Sequence, residues 1–191
     1  MTSGRPRRPA AQEPPAAGAA AADREPDPES VARAIALRLL TGAPRSRHQL
    51  AEAMARREVP EDVAARVLDR FTEVGLVDDA EYARMLVRSR QESRGLARRA
   101  LAVELRRKGI DDEVAAGALA DVDPESEEAS ARELLRRRWR PDVDPDVQAR
   151  RALAMLGRKG YPSGLSLRLV AEMRDDGAHR REAPDESTPD G

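Results

Sequence analysis

Residue types that carry covalent or metal chemistry are scarce in this sequence. It has no cysteine, only two histidines, and no glycine-rich phosphate loop. The missing thiols exclude a cysteine nucleophile, a disulfide framework and a thiolate zinc site. His48 falls in the first turn of an expected helix and His179 in an acidic stretch. Neither has a third ligand nearby, so both read as solvated surface and no metal is expected. Ser46 opens Ser46-Arg47-His48-Gln49, the S-x-x-Q pattern of a helix capping box, and no histidine and aspartate accompany it as they would a nucleophile. No catalytic residue and no cofactor is expected, and the chain reads as a binder, not an enzyme.

What the sequence does supply is guanidinium. Between Glu81 and Lys108 stand nine basic residues, Arg84, Arg88, Arg90, Arg94, Arg98, Arg99, Arg106, Arg107 and Lys108, against the acids Glu81, Glu92 and Glu104, in a chain whose net charge is −1. Arg56-Arg57 and Arg158-Lys159 repeat the basic run at other helix ends. Cations near a helix C-terminus gain about 0.3 to 1 kcal/mol from the macrodipole. That explains one such run better than several at matching places, and a longer set aligned on one face would suit a polyanion or an acidic protein surface. From Gly109 to Ala131 the sign reverses, with eight acidic residues and no basic one. A partner of mixed charge fits this alternation better than bare DNA.

The elements that position these charges are helices. Aromatics make up 2% of the 191 residues and charged residues 36%, so the core must come from Leu, Val, Ile, Met and Ala, with too few strand formers for a sheet. Val31, Ile35 and Leu39 form a stripe behind Asp27-Pro28-Glu29, a cap, a first-turn proline and a dipole-matched carboxylate. Asp123-Pro124-Glu125-Ser126 repeats that start, Asp144-Pro145 caps a further helix, and Gly75, Gly109 and Gly160 end others. No apolar run is long enough for a signal peptide or a membrane span, so a soluble, cytoplasmic chain without membrane contact is expected.

An internal repeat organises the helices. Leu50, Met54, Val59, Val63 and Leu68, shifted by 51 positions, fall on Leu101, Leu105, Ile110, Val114 and Leu119, and shifted again on Ala152, Leu156, Tyr161, Leu165 and Val170. Lys108-Gly109 falls on Lys159-Gly160 at the same offset. The expected fold is all-α, with three tandem three-helix repeats at 27–76, 77–121 and 122–173 forming an elongated, curved array. The third repeat carries six extra residues, read into its first loop, Arg140 to Asp144. Residues 1–26, rich in proline and alanine, and the acidic 174–191 are expected to be disordered tails.

Gly75-Leu-Val-Asp-Asp-Ala-Glu-Tyr-Ala83, followed by Arg88-Ser-Arg90, Gly95, Glu104-Leu105 and Lys108-Gly109-Ile110, resembles the signature of the RecX family of bacterial regulatory proteins, and Leu156-Gly-Arg-Lys-Gly160-Tyr161 matches it more loosely. The likeness covers Ile35 to Met173. It implies three three-helix modules in a curved array, and a protein that binds RecA and its filament on single-stranded DNA and damps ATP hydrolysis, strand exchange and co-protease activity. The expected partner-binding residues are Arg88, Arg90, Arg94, Arg98, Arg99, Arg106, Arg107, Lys108, Arg158 and Lys159. Asp78 and Asp79 are expected to serve as cap and hinge between units, and Trp139 to fill a gap between units. A monomer with weak direct DNA contact is expected. The alternative from the residues alone is a helix-turn-helix-like regulator acting directly on DNA. Against it, few Asn and Gln accompany the arginines, and aromatics for base stacking are few.

Overall fold

The computed structural model describes residues 27–140 and 142–182, the last six as backbone only. The described residues form nine helices and no strand: α1 (Pro28–Gly42), α2 (Arg47–Ala55), α3 (Glu61–Glu73), α4 (Asp79–Arg94), α5 (Arg98–Arg107), α6 (Asp112–Leu119), α7 (Pro124–Arg138), α8 (Pro145–Arg158) and α9 (Ser163–Glu182). Helices pack within consecutive triplets: α1 with α2 and α3, α4 with α5 and α6, and α9 with both α7 and α8. Each triplet encloses its own hydrophobic cluster. This is the tandem three-helix architecture that the repeat implies.

The caps explain where the helices start. The carboxylates of Asp27, Asp78, Asp111, Asp123 and Asp144 each accept a backbone N–H of the turn they precede, and Ser46 and Gln49 close the capping box. The fifteen repeat positions then fill the interior in register. Twelve of them are buried. The other three, Val63, Val114 and Leu165, are one position of the repeat and pack against the cluster of their own unit. In α1 the stripe Val31, Ile35, Leu39 lies at the edge of the core, while Ala32 and Ala36, each 0% exposed, lie at its centre. Alanine there lets the helix backbones approach closely, and Ala83 and Ala131, also 0% exposed, serve the second and third units alike.

Two boundaries differ from the sequence expectation. Of the six extra residues in the third unit, only two lengthen the loop. Pro145 stands seven positions before Ala152, where Arg47 stands three before Leu50, so the other four add a turn to the start of α8. At the C-terminal side, α9 does not stop at Met173 but continues to Glu182, and Arg174 on the extension pairs with Asp146 at 2.8 Å. Residues 1–26 and 183–191, where the tails are expected, lie outside the described residues.

Units join end to end through one joint used twice. The Ser46 hydroxyl donates to the Lys108 carbonyl (2.6 Å), and the Arg47 N–H donates to Asp79 Oδ1 (2.8 Å). Fifty-one positions on, the Ala97 N–H donates to the Lys159 carbonyl (2.9 Å), and the Arg98 N–H donates to Glu127 Oε1 (2.8 Å). In both joints the second helix of one unit thus finds its missing first-turn acceptor on the next unit's first helix. Asp78 caps α4, as expected, while Asp79 bridges the two units by accepting the Arg47 N–H. Because Ser46 is fully buried and supplies both a cap and the joint bond, Ser46→Ala is expected to cost about 2 kcal/mol in a urea titration; a loss below a few tenths would show that the joint carries no stability.

The third unit is further tied by an alternating network. Arg168 bonds Glu128 (2.6 Å) and Glu172 (3.2 Å), and Arg132 bonds Glu172 (2.7 Å) and Glu128 (3.1 Å). Hydrogen bonds from Arg168 to Glu128, and from Arg132 to Glu172, hold both carboxyls below the usual glutamate value of 4.5. A folded-state value lower than the unfolded one contributes stability above the unfolded value, and that contribution disappears as pH falls through the folded one. Glu172→Gln should therefore lower the melting temperature at neutral pH, and the loss should shrink progressively as pH falls below the usual glutamate range; a loss that does not change with pH would assign the effect to packing.

Candidate partner-binding surface

The ten basic residues singled out in the sequence divide by what their side chains touch. Arg90 at the end of α4 pairs with Glu104 on α5 at 2.6 Å, both largely buried. The Arg98 guanidinium donates to the Leu119 carbonyl at 2.6 Å and the Val122 carbonyl at 3.4 Å, closing the end of α6. Its repeat equivalent Arg47 ties α2 to α3 through Asp69 (2.6 Å), so this arginine belongs to the scaffold of both units. Arg88 pairs with Glu81 (3.3 Å) and Arg106 lies 3.8 Å from Asp112. The Lys159 ammonium donates to the Arg94 carbonyl, which binds the end of α8 to the end of α4.

The other five converge. Arg94, Arg99, Arg107, Lys108 and Arg158 line one open groove between α5 on one side and α8 with the start of α9 on the other. No side-chain ion pair or hydrogen bond engages any of the five among the described residues. Glu104, the one acid on the groove wall, is already paired to Arg90. Between the cations lie Val103 and Leu167, 41% and 58% exposed. These two apolar residues were not singled out from sequence, although the repeat carries a signal. Val103 stands where the neighbouring units have Glu52 and Ala154, and Leu167 where they have Ala65 and Ala116. Arg56 and Arg57, at the far end of α2, line no part of this groove.

Close packing at the joints fixes the groove walls. Gly160 has φ +88°, and a Cβ on it would lie 2.6 Å from the Ala100 backbone nitrogen; Gly109 has φ +69°, and its Cβ would meet the His48 ring at 2.2 Å. His48 is thus a joint residue as well as a surface one. In unit 1 the equivalent position is Glu58, also at positive φ (59°) and exposed, with no further unit against that end among the described residues. Tyr161 completes the second joint: its hydroxyl donates to the Gly95 carbonyl (3.2 Å), and burial pushes its pKa up to about 12. Trp139 caps the end of α7, packs against the third core, and lines a second cleft that reaches Gly95 and Leu96 of unit 2.

The acidic stretch from Asp111 to Glu128 is partly consumed internally. Asp111 and Asp123 cap helices, Glu127 caps α5 across the joint, and Glu128 sits in the arginine network. His179 lies outside the described side chains. Among the described residues no group of His, Asp and Glu is placed to hold a metal ion. No helix is long and apolar enough to cross a membrane.

Serial three-helix modules, each with its own core and joined end to end, define an all-helical tandem-repeat protein. Residues 32–71 match the family model for the first three-helix domain of RecX, and residues 78–119 match that for its second three-helix domain. Regulatory protein RecX of Streptomyces coelicolor is 50% identical over 152 residues, covering 78% of this chain and 81% of its own. That of Thermobifida fusca is 53% identical over 143 residues, covering 74% and 77%. The chain belongs to the RecX family. Its fold is similar to the crystal structure of RecX from Lactobacillus salivarius, with a TM-score of 0.67 and 19% identity over 77% of this chain and 97% of that one.

Proposed function

We propose that this chain binds the RecA recombinase and its filament on single-stranded DNA, and that it damps ATP hydrolysis, strand exchange and co-protease activity by contact through the groove between its second and third units. The observation that carries this reading is the gathering of Arg94, Arg99, Arg107, Lys108 and Arg158, without side-chain partners among the described residues, around exposed Val103 and Leu167. Family membership supplies the regulatory role. Uncommitted cations around an apolar strip suit an acidic protein surface carrying apolar side chains, because desolvation of the strip adds to charge attraction. A naked DNA backbone would leave Val103 and Leu167 without partners.

The groove, and not the whole basic run, is the proposed contact. Arg90, Arg98 and Lys159 hold helices together, and their removal would disturb the scaffold before it reported on binding. The test adds purified protein to RecA assembled on single-stranded DNA and follows ATP turnover. Inhibition at stoichiometric amounts supports the reading, and unchanged turnover removes it. A gel shift with naked single-stranded DNA at physiological salt tests direct action on nucleic acid; DNA binding as tight as RecA binding would favour that alternative.

A further inference from the structure

Of the 34 basic residues in the chain, only Lys108 and Lys159 are lysines, and they occupy equivalent repeat positions 51 apart. Their surroundings differ. Lys108 has no side-chain partner among the described residues and lines the open groove. Lys159 lies at the head of the second cleft, formed by the end of α4, the end of α7 and one side of α8, with its Nζ held on the Arg94 carbonyl. We propose that Lys159 is an acylation site, its Nζ accepting an acetyl group from a phosphate-bearing activated acyl donor that the surrounding arginines hold.

The charges that act on Lys159 are Arg94 from α4 and Arg138 from α7, and the same cleft is lined by Arg137, Arg140, Arg151 and Arg158, with Glu92 and Glu133 as its acids. Glu133 is already paired with Arg137 at 2.7 Å. The cleft is therefore cationic where the amine sits. A volume of about 1210 Å³ leaves room for a donor that brings two or more phosphate groups. Guanidinium pairs with phosphate through two parallel hydrogen bonds, so Arg94, Arg138 and Arg158 would orient such a donor. Burial foremost, then the positive charges of Arg138 and Arg94, lower the Lys159 pKa. More of the amine is thereby unprotonated at neutral pH, and the neutral amine is the nucleophile.

The step balances without an oxidant or reductant. The Nζ lone pair attacks the acetyl carbonyl carbon, the C–S bond of a thioester or the C–O bond of an acyl phosphate breaks, the thiolate or phosphate leaves, and the amine gives one proton to solvent as the amide forms. The product has lost its charge and all but one of its donors. Only one neutral N–H then remains for the Arg94 carbonyl, so the second joint is weakened while the first, where the Lys108 side chain has no bond among the described residues, is not.

The test incubates the full chain with acetyl-coenzyme A in one arm and acetyl phosphate in the other, and maps acetylation by peptide mass against time. Lys159 should be modified at least several-fold faster than Lys108, with a rate that reaches half its maximum at lower pH. A larger preference in the coenzyme A arm, reduced by added adenosine 3′,5′-bisphosphate, would assign the donor to the thioester, and a preference in the acetyl phosphate arm alone would assign it to the smaller compound. Lys108 modified as fast as Lys159 in both arms overturns the proposal. Arg138→Ala, which keeps the amine, should slow Lys159 several-fold and leave Lys108 unchanged; no change at Lys159 removes the role of the cleft.

Discussion

Replacing Arg94, Arg99, Arg107 and Arg158 together by Ala is expected to raise the protein concentration needed for half-maximal inhibition of RecA ATP hydrolysis by roughly thirtyfold or more, at about 0.5 to 1 kcal/mol for each solvent-facing charge lost. All four line the groove beside α5, and among the described residues none of their side chains makes an ion pair or hydrogen bond. Their removal should therefore leave the helix content and melting temperature near those of the unaltered protein. The comparison set is Arg33, Arg38, Arg66 and Arg70 in unit 1, which removes equal charge away from the groove. Equal weakening by both sets would make the effect one of net charge alone, and no weakening by the groove set would remove the assignment of the contact. Adding Val103→Ser and Leu167→Ser tests the apolar strip. A further loss that salt does not change is the signature of buried apolar area, whereas the arginine contribution should shrink as ionic strength rises.

Gly160→Ala is expected to be the most damaging single methyl in the chain. The left-handed backbone costs a non-glycine residue about 1 kcal/mol or more, and at Gly160 the added carbon would also lie 2.6 Å from the backbone nitrogen of Ala100 and 2.8 Å from its Cβ. Backbone cannot swing aside as a flexible side chain would, so the second joint must open, for a total of about 3 kcal/mol or more. Gly75→Ala isolates the first contribution, since Gly75 has φ +73° with nothing within 4 Å of its added carbon, and should cost only about 1 kcal/mol. Urea titrations of the two variants provide the measurement. Equal losses would mean that the joint yields freely, and that close contact between units 2 and 3 does not shape the groove.

The fold was legible because large apolar side chains mark the inside of a helix at a fixed spacing. Leu105 and Ile110 could be laid on Leu156 and Tyr161 across a 51-residue shift, and the aspartate caps fixed where helices start. Alanine carries no such mark. Ala32 and Ala36 at the centre of the first core look the same in sequence as Ala55 and Ala154 on the surface, since one methyl group is tolerated in both places. The extension of α9 past Met173 is accompanied by the pairing of Arg174 with Asp146, a contact between residues 28 positions apart that no local pattern announces.

The candidate site was legible in its charge but not in its partition. Arg98 and Arg99 are neighbours of identical chemistry, yet one guanidinium closes the end of α6 and the other faces the groove. The direction of a side chain follows from the helix phase and from which carbonyls are left unpaired nearby, and only packing decides both. One clue was present: Arg98 falls on Arg47 at the repeat offset, and a side chain repeated at a structural joint belongs to the joint. The exposed Leu167, where the other units carry alanine, is the complementary clue, a departure from the repeat at the groove proposed as the contact.

The joint between units has a directional consequence. The end of α8 meets the start of α5, and the end of α5 meets the start of α2, so the second helices follow one another head to tail in the order opposite to the chain. The two outer ends are unlike: an added turn opens α8 at Pro145, and α2 finishes at an exposed turn carrying Glu58. The molecule is therefore an arrow and not a symmetrical rod. On a partner whose subunits all point the same way, only one of its two orientations presents the groove correctly, so a filament with polarity would be read in a single sense.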